Sequence, residues 1–147
     1  MTEVHRFALV EYPPEQMFDL VCDIASYPRF LNWVRSADLH EQSAEHQVAS
    51  LGVSLGGIRA RFTTENRLQR PEWIEIRLQQ GPFDDLRGQW RFQPVAHGTR
   101  VSLDLDFQFS GSAWMRPFRR GFARMADRMV DDFCRRADAI HGTRRTG

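Results

Sequence analysis

Apolar residues recur along this chain with two different periods, and the switch between them outlines the fold. In 101–109 the alternation is complete: Val101, Leu103, Leu105, Phe107 and Phe109 are separated by Ser102, Asp104, Asp106 and Gln108. Successive side chains of a strand point to opposite faces, so this segment has one wet face and one buried face. Residues 58–68 repeat the pattern, with Ile58, Ala60, Phe62 and Leu68 against Arg59, Arg61, Glu65 and Arg67. In 73–79, Ile74, Ile76 and Leu78 alternate with Glu75, Arg77 and Gln79. Gly56-Gly57, Arg70-Pro71, Gly81-Pro82 and His97-Gly98 punctuate these runs at the spacing of an antiparallel meander covered on one face.

Helical spacing governs two other segments. Met17, Phe18, Leu20, Val21 and Ile24 follow Pro14, which suits the first helical position because no N–H partner is needed there. Phe118, Phe122, Met125, Met129, Phe133, Ala137 and Ile140 step by three or four through 113–140 and form one stripe, with Arg120, Arg124, Asp131 and Arg135 opposite. Pro117 predicts a kink or a broken first turn. A short strand over 3–11 precedes the first helix. Tyr27, Phe30, Leu31 and Trp33 then crowd around Pro28, which disfavours helix at Tyr27.

The order is one strand, two short helices, about six antiparallel strands and a long helix. It predicts an α+β fold: a curved antiparallel sheet of six to seven strands wrapped around the C-terminal helix, because each has one apolar face to bury. Residues 1–147 then form a single domain, with the core over 3–140 and a disordered tail over 141–147. Such a sheet need not close on its helix, and the gap is an apolar cavity that takes a ligand. The residues placed to line or cover it are Tyr27, Phe30, Leu31, Trp33, Phe62, Phe83, Leu86, Trp90, Phe107, Phe118, Phe122, Met125 and Met129. Phe83 and Leu86 are expected on a loop over the mouth, facing Tyr27 and Phe30. The Tyr27 hydroxyl is a candidate to hold a ligand head group.

Composition narrows the class. At 147 residues, 41% hydrophobic and 27% charged, the chain reads as a soluble globular protein. It has no run of membrane-span length and no signal-peptide plan, so a cytoplasmic location is expected, with peripheral inner-membrane contact as the variant. Cys22 and Cys134 are expected as unpaired thiols. From Arg116 onward nine Arg face four Asp, a net +5, while the remainder carries eleven Arg and fifteen acids, a net −4. Arg116, Arg119, Arg120 and Arg124 hold no acid among them and are candidates for contact with RNA or an anionic membrane surface; DNA is not expected.

Candidate chemistry is sparse. His5, His40, His46, His97 and His141 lack metal-ligand spacing, although His40 and His46 are placed to face each other across a hairpin. Asp104 and Asp106 lie on the wet face. Thr64, Asn66 and Gln80 are the polar residues in phase with the buried face. No nucleophile elbow or phosphate loop occurs. The residues therefore indicate no catalytic group, no metal and no required cofactor.

Four strings taken together resemble the START-like, helix-grip superfamily. More narrowly, they resemble the RatA and coenzyme-Q-binding family, also labelled polyketide cyclase/dehydrase-like. They are Asp23-Ile-Ala-Ser-Tyr27-Pro28-Arg-Phe30-Leu31; Gly81-Pro82-Phe83-Asp-Asp-Leu86-Arg-Gly88-Gln-Trp90-Arg-Phe92; Leu105-Asp-Phe107-Gln-Phe109; and Met129-Val130-Asp-Asp-Phe133-Cys-Arg-Arg136-Ala137. Asn32-Trp33-Val34 stands where the family often has Pro and Cys before Ser, and Asp84-Asp85 where many members are basic. The resemblance implies a carrier of a hydrophobic small molecule, a polyprenyl quinone such as ubiquinone or another lipid. Its alternative implication is a toxin that binds the large ribosomal subunit and blocks subunit joining, and a third is a cyclase-type enzyme.

Overall fold

The computed structural model describes residues 2–142. Its seven strands are β1 (Thr2–Val10), β2 (Val34–Gln42), β3 (His46–Leu55), β4 (Ile58–Gln69), β5 (Trp73–Gln80), β6 (Phe83–Val95) and β7 (Gly98–Phe109). They form one antiparallel sheet in the order β1-β7-β6-β5-β4-β3-β2. Helix α1 (Pro14–Cys22) and a 3-10 helix (Ile24–Arg29) separate β1 from β2. Helix α2 (Arg116–His141) ends the described fold. This is the helix-grip arrangement that the two periods predict.

Local rules account for the element ends. Pro14 sits in the first turn of α1, where its missing N–H costs nothing. The break expected at Pro117 takes the form of a separate 3-10 helix (Ala113–Met115), after which α2 starts with Pro117 in its own first turn. The apolar stripe of α2 is buried at Phe118, Phe122, Met125, Phe133 and Ala137, but Ile140 is exposed, so the stripe stops one turn early. The helix runs on through His141, inside the expected tail; residues 143–147 of that tail lie outside the described residues.

Two β-bulges correct the sequence reading of the sheet. Phe83 and Leu86 are not on a loop: β6 begins at Phe83. They are three apart, and a regular strand would point them to opposite faces. The register slips between Phe83↔Phe109 and Asp85↔Gln108, which turns both inward. A second slip, between Thr63↔Gln80 and Thr64↔Leu78, puts Gln80 out of phase with Ile74, Ile76 and Leu78. Gln80 is exposed and takes no part in the interior.

The helix comes close to the sheet at the β3–β4 turn. Gly56 has φ +59°, and a Cβ there would lie 2.2 Å from the Pro117 carbonyl oxygen. A Cβ on Gly121 contacts the Gly56 nitrogen at 3.0 Å. Glycine at 56 thus permits both the left-handed backbone and the approach of α2.

Candidate functional site

Aromatic rings hold α2 to the sheet in two clusters. Near the start of the helix, Phe118 and Phe122 pack with Phe83, Phe107 and Phe109, and Phe83 continues to Phe62. Further along, Phe133 receives Tyr27, Phe30 and Trp90 edge-on, with centroids 5.3, 5.4 and 5.3 Å away. Phe118 and Phe133 are fifteen residues apart on one helix, which spans about 22 Å. Phe83 and Tyr27 therefore belong to opposite ends of the interior rather than to two lips of one mouth.

Between the clusters lies a cavity of about 80 Å³. Eight of the predicted residues line it: Tyr27, Trp33, Phe62, Leu86, Trp90, Phe122, Met125 and Met129. Five do not. Leu31, Phe83, Phe107 and Phe118 are buried in the core around it. Phe30 packs on the outside, with the Arg136 guanidinium 4.9 Å above its ring. The lining also includes Ile24, Ala49, Leu51, Thr64, Asn66, Ile76, Leu103 and Leu105. Period-two alternation alone identifies Ile76, Leu103 and Leu105 as inward-facing. Ala49 and Leu51 lie on β3, where no clear alternation marks the face.

The polar groups of this lining are few, and each has a distinct state. The Tyr27 hydroxyl does not reach into the cavity for a ligand: it donates to the Val21 carbonyl, so the role expected for it is already filled by backbone. Burial, aided by Cys22 and Asp23, pushes its phenol well above the ordinary tyrosine value. Asn66 donates through Nδ2 to Gln47 Oε1 at 2.9 Å, while its Oδ1 is buried without a partner. Trp33 Nε1 is likewise buried and unpartnered. Tyr27 is the one titratable side chain in the lining.

The remaining candidates lie elsewhere. Asp104 and Asp106 are on the outer face of the sheet, where Asp104 accepts from His5 at 2.7 Å. His46 pairs with Glu65 at 2.7 Å and His40 with Ser50 at 2.8 Å, so these two histidines do not face each other. Among the described residues no three His, Cys, Asp or Glu side chains gather in a metal-binding group. Cys22 and Cys134 are both free thiols.

The arginines of α2 form a second surface. Arg116, Arg120 and Arg124 follow one another at four-residue intervals on the exposed side. Arg119 is half-buried and donates to the Ser112 carbonyl at 3.3 Å. Among the described residues none of the four meets a carboxylate at ion-pair distance. Beside them is an open groove of about 430 Å³ lined by Arg59, Arg61, Ser110, Ser112 and Trp114, among others. Trp114 is 70% exposed. Arg61 pairs with Asp38 at 3.0 Å, and Ser110 donates to Asp84 at 3.2 Å.

A curved sheet gripping a helix over an apolar cavity is the architecture of START-like proteins. The chain has a TM-score of 0.75 to a START superfamily protein from Mycobacterium smegmatis, at 18% identity over 94% of this chain and 98% of that one. Residues 10–134 match the family model described as polyketide cyclase / dehydrase and lipid transport, and the chain belongs to that family. It is 42% identical over 143 residues to the ribosome association toxin RatA of Vibrio cholerae serotype O1 (strain El Tor Inaba N16961), covering 97% of this chain and 99% of that protein. It is 28% identical over 103 residues to the mitochondrial coenzyme Q-binding protein COQ10 of Drosophila melanogaster, covering 69% of this chain and 43% of that protein. No helix among the described residues is long and apolar enough to cross a membrane.

Proposed function

We propose that this protein associates with the ribosome, binding ribosomal RNA of the large subunit through the surface formed by α2 and the neighbouring groove. The observation that carries the reading is the exposed Trp114 beside a run of arginines without acid partners. Guanidinium groups suit phosphate oxygens, which they engage with paired N–H donors. An exposed indole offers a face on which an unstacked base can lie. Near full-length similarity to proteins named for ribosome association supports the same direction. The test is co-sedimentation of the purified chain with isolated ribosomal subunits at several salt concentrations. The chain should pellet with large subunits and be released by salt, and Arg116→Glu, Arg119→Glu and Arg120→Glu combined should leave it in the supernatant. Unchanged sedimentation of that variant sinks the reading.

A second reading concerns the interior, and the predominantly apolar lining of its cavity favours it: the protein takes up a small, largely apolar molecule there. The cavity of about 80 Å³ has the space of about three waters, short of the roughly 150 Å³ that takes a benzene ring, so uptake requires its lining to move apart. A polyprenyl quinone would place its ring inside and its tail outside. With Tyr27 held by backbone and no other titratable group in the lining, the site supports binding rather than proton transfer. Solvent extraction of the purified protein and thermal-shift measurements with added quinone test this. No extracted lipid and no stabilisation would reject it.

A further inference from the structure

Trp114 is the largest apolar side chain that the fold leaves in solvent. It sits on the 3-10 helix between β7 and α2, and its indole has no hydrogen-bond or ring partner among the described residues. It forms one wall of the groove of about 430 Å³, whose other sides come from the start of β4, from Pro82 and from the connection after β7. That volume lies in the range of sites that take small ligands. The groove shares no lining residue with the interior cavity.

Charge is distributed unevenly around it. Arg61 is neutralised by Asp38 at 3.0 Å. Arg59, two positions earlier on the same strand, is exposed and meets no carboxylate among the described residues. Ser110 Oγ donates to Asp84 at 3.2 Å, which sets a carboxylate behind that part of the wall. Ser112 Oγ, the other hydroxyl of the lining, has no partner among the described residues. A phosphate is therefore drawn to the Arg59 side and repelled from the Ser110 side. The groove thus offers a free cation, a free hydroxyl and a bare aromatic face, one for each part of a nucleotide.

We propose that this groove holds one unstacked nucleotide of single-stranded RNA, with its base against the Trp114 indole, its phosphate on Arg59 and its ribose 2′-hydroxyl on Ser112 Oγ. The inference rests on the reading of this face as a ribosome-binding surface, and it moves part of that contact from α2 to β4. A base within a duplex has its faces covered by its neighbours and cannot reach the indole, so the site selects unpaired loops and bulges. The 2′-hydroxyl both donates and accepts, as the serine hydroxyl does, and this separates RNA from DNA at the site. An anionic bilayer fits less well: laid across this face it would meet the exposed Asp84, whereas a nucleotide brings a single phosphate to the opposite side.

The test follows the intrinsic tryptophan fluorescence of the whole chain with four probes: hexauridylate, its deoxy counterpart, a twelve-base-pair RNA duplex and phosphatidylglycerol vesicles. Hexauridylate should quench the emission of Trp114, identified as the component missing in Trp114→Phe, and the duplex and vesicles should not. Trp114→Ala should weaken hexauridylate about five- to a hundredfold, measured by anisotropy of the labelled strand, while Trp114→Phe keeps most of the affinity. Arg59→Gln should reduce the slope of log affinity against log salt by about 0.7. Ser112→Ala should lose about three- to tenfold in affinity for hexauridylate and bring it to the level of the deoxy strand. All three side chains are exposed, so the variants should keep the circular dichroism of the native fold. Undiminished binding by Trp114→Ala, an unchanged salt slope in Arg59→Gln, equal affinity for the ribose and deoxyribose strands, or a response to duplex or vesicles in place of hexauridylate each overturns the inference. If the wild type pellets with large subunits while hexauridylate leaves Trp114 unaffected, the nucleotide site falls and the ribosome reading stands. If the wild type does not pellet, the ribosome reading falls whatever the short strand does.

Discussion

Phe133 is the ring on which the interior is assembled, and its truncation should be among the costliest single changes in the protein. It is fully buried, and Tyr27 from the 3-10 helix, Phe30 beyond it and Trp90 from β6 all meet it edge-on. Replacing a core Phe by Ala costs about 3–5 kcal/mol through lost transfer energy and the cavity left behind. Edge-on ring pairs add roughly 0.5–1.5 kcal/mol each beyond area burial, and three are lost together. Phe133→Ala should therefore sit at or above the upper end, about 5 kcal/mol, out of a total stability on the order of 5–15 kcal/mol. Phe62→Ala is the control: Phe62 already borders empty space and pairs with Phe83 alone among the rings, so about 3 kcal/mol is expected. Equilibrium urea unfolding followed by far-ultraviolet circular dichroism measures both, and avoids the fluorescence of Trp90, which the substitution perturbs directly. A Phe133→Ala cost below that of Phe62→Ala, or below about 2 kcal/mol, would refute the role given to Phe133.

Three further outcomes are expected. Tyr27→Phe should lower stability by about 0.5–1.5 kcal/mol in urea unfolding, because it removes the hydrogen bond from the hydroxyl to the Val21 carbonyl. Gly56→Ala should destabilise the protein well beyond Gly57→Ala in thermal unfolding: both glycines have positive φ, but a Cβ at 56 strikes Pro117 and one at 57 meets nothing within 4 Å. Burial, reinforced by Asp131 and Asp138, pushes the Cys134 thiol up to about 11. Since the thiolate is the reactive form, alkylation of Cys134 followed by mass spectrometry should rise about tenfold per pH unit from pH 7 to 10; a plateau near pH 8.5 would contradict this.

Much of the fold was legible because its two periods are clean where burial is one-sided. The alternation in 101–109 is continuous, and β7 pairs without a slip along its β1 side. The stripe of α2 was equally plain, and its error at Ile140 arises because periodicity carries no information on where the sheet beneath the helix ends. The failures have one physical source. A bulge adds a residue to one strand and reverses the phase of every later position in it, and its own signature is a break in periodicity. Phe83 and Leu86 therefore imitated a loop, and Gln80 imitated an inward residue. In the site, the sequence brought out large apolar groups but not their hydrogen bonds. That the Tyr27 hydroxyl turns back to Val21, and that Asn66 is oriented through Gln47 from the Cys22 carbonyl, are contacts between residues whose pairing no spacing rule encodes. Trp33 stood out as the departure from the family pattern, yet its unpaired N–H emerges only from the packed interior.

The sheet order also sets the timetable of assembly. β1 lies beside β7, and the His5–Asp104 contact joins residues 99 positions apart. Closing a segment of that length costs about 4 kcal/mol of chain entropy before any contact is gained. During synthesis β1 leaves the ribosome first and has no neighbour until β7 has emerged after it. The hairpins from β2 to β7 are local and can zip in sequence, so the first strand made is the last to be sheltered. Until then its Phe7 and Leu9, 59% and 68% exposed even in the finished fold, accompany an unpaired strand edge. A second chain further along in synthesis presents a matching β7, so crowded translation of this message favours strand exchange between copies, and slower delivery of the C-terminal strands lengthens the interval in which it occurs.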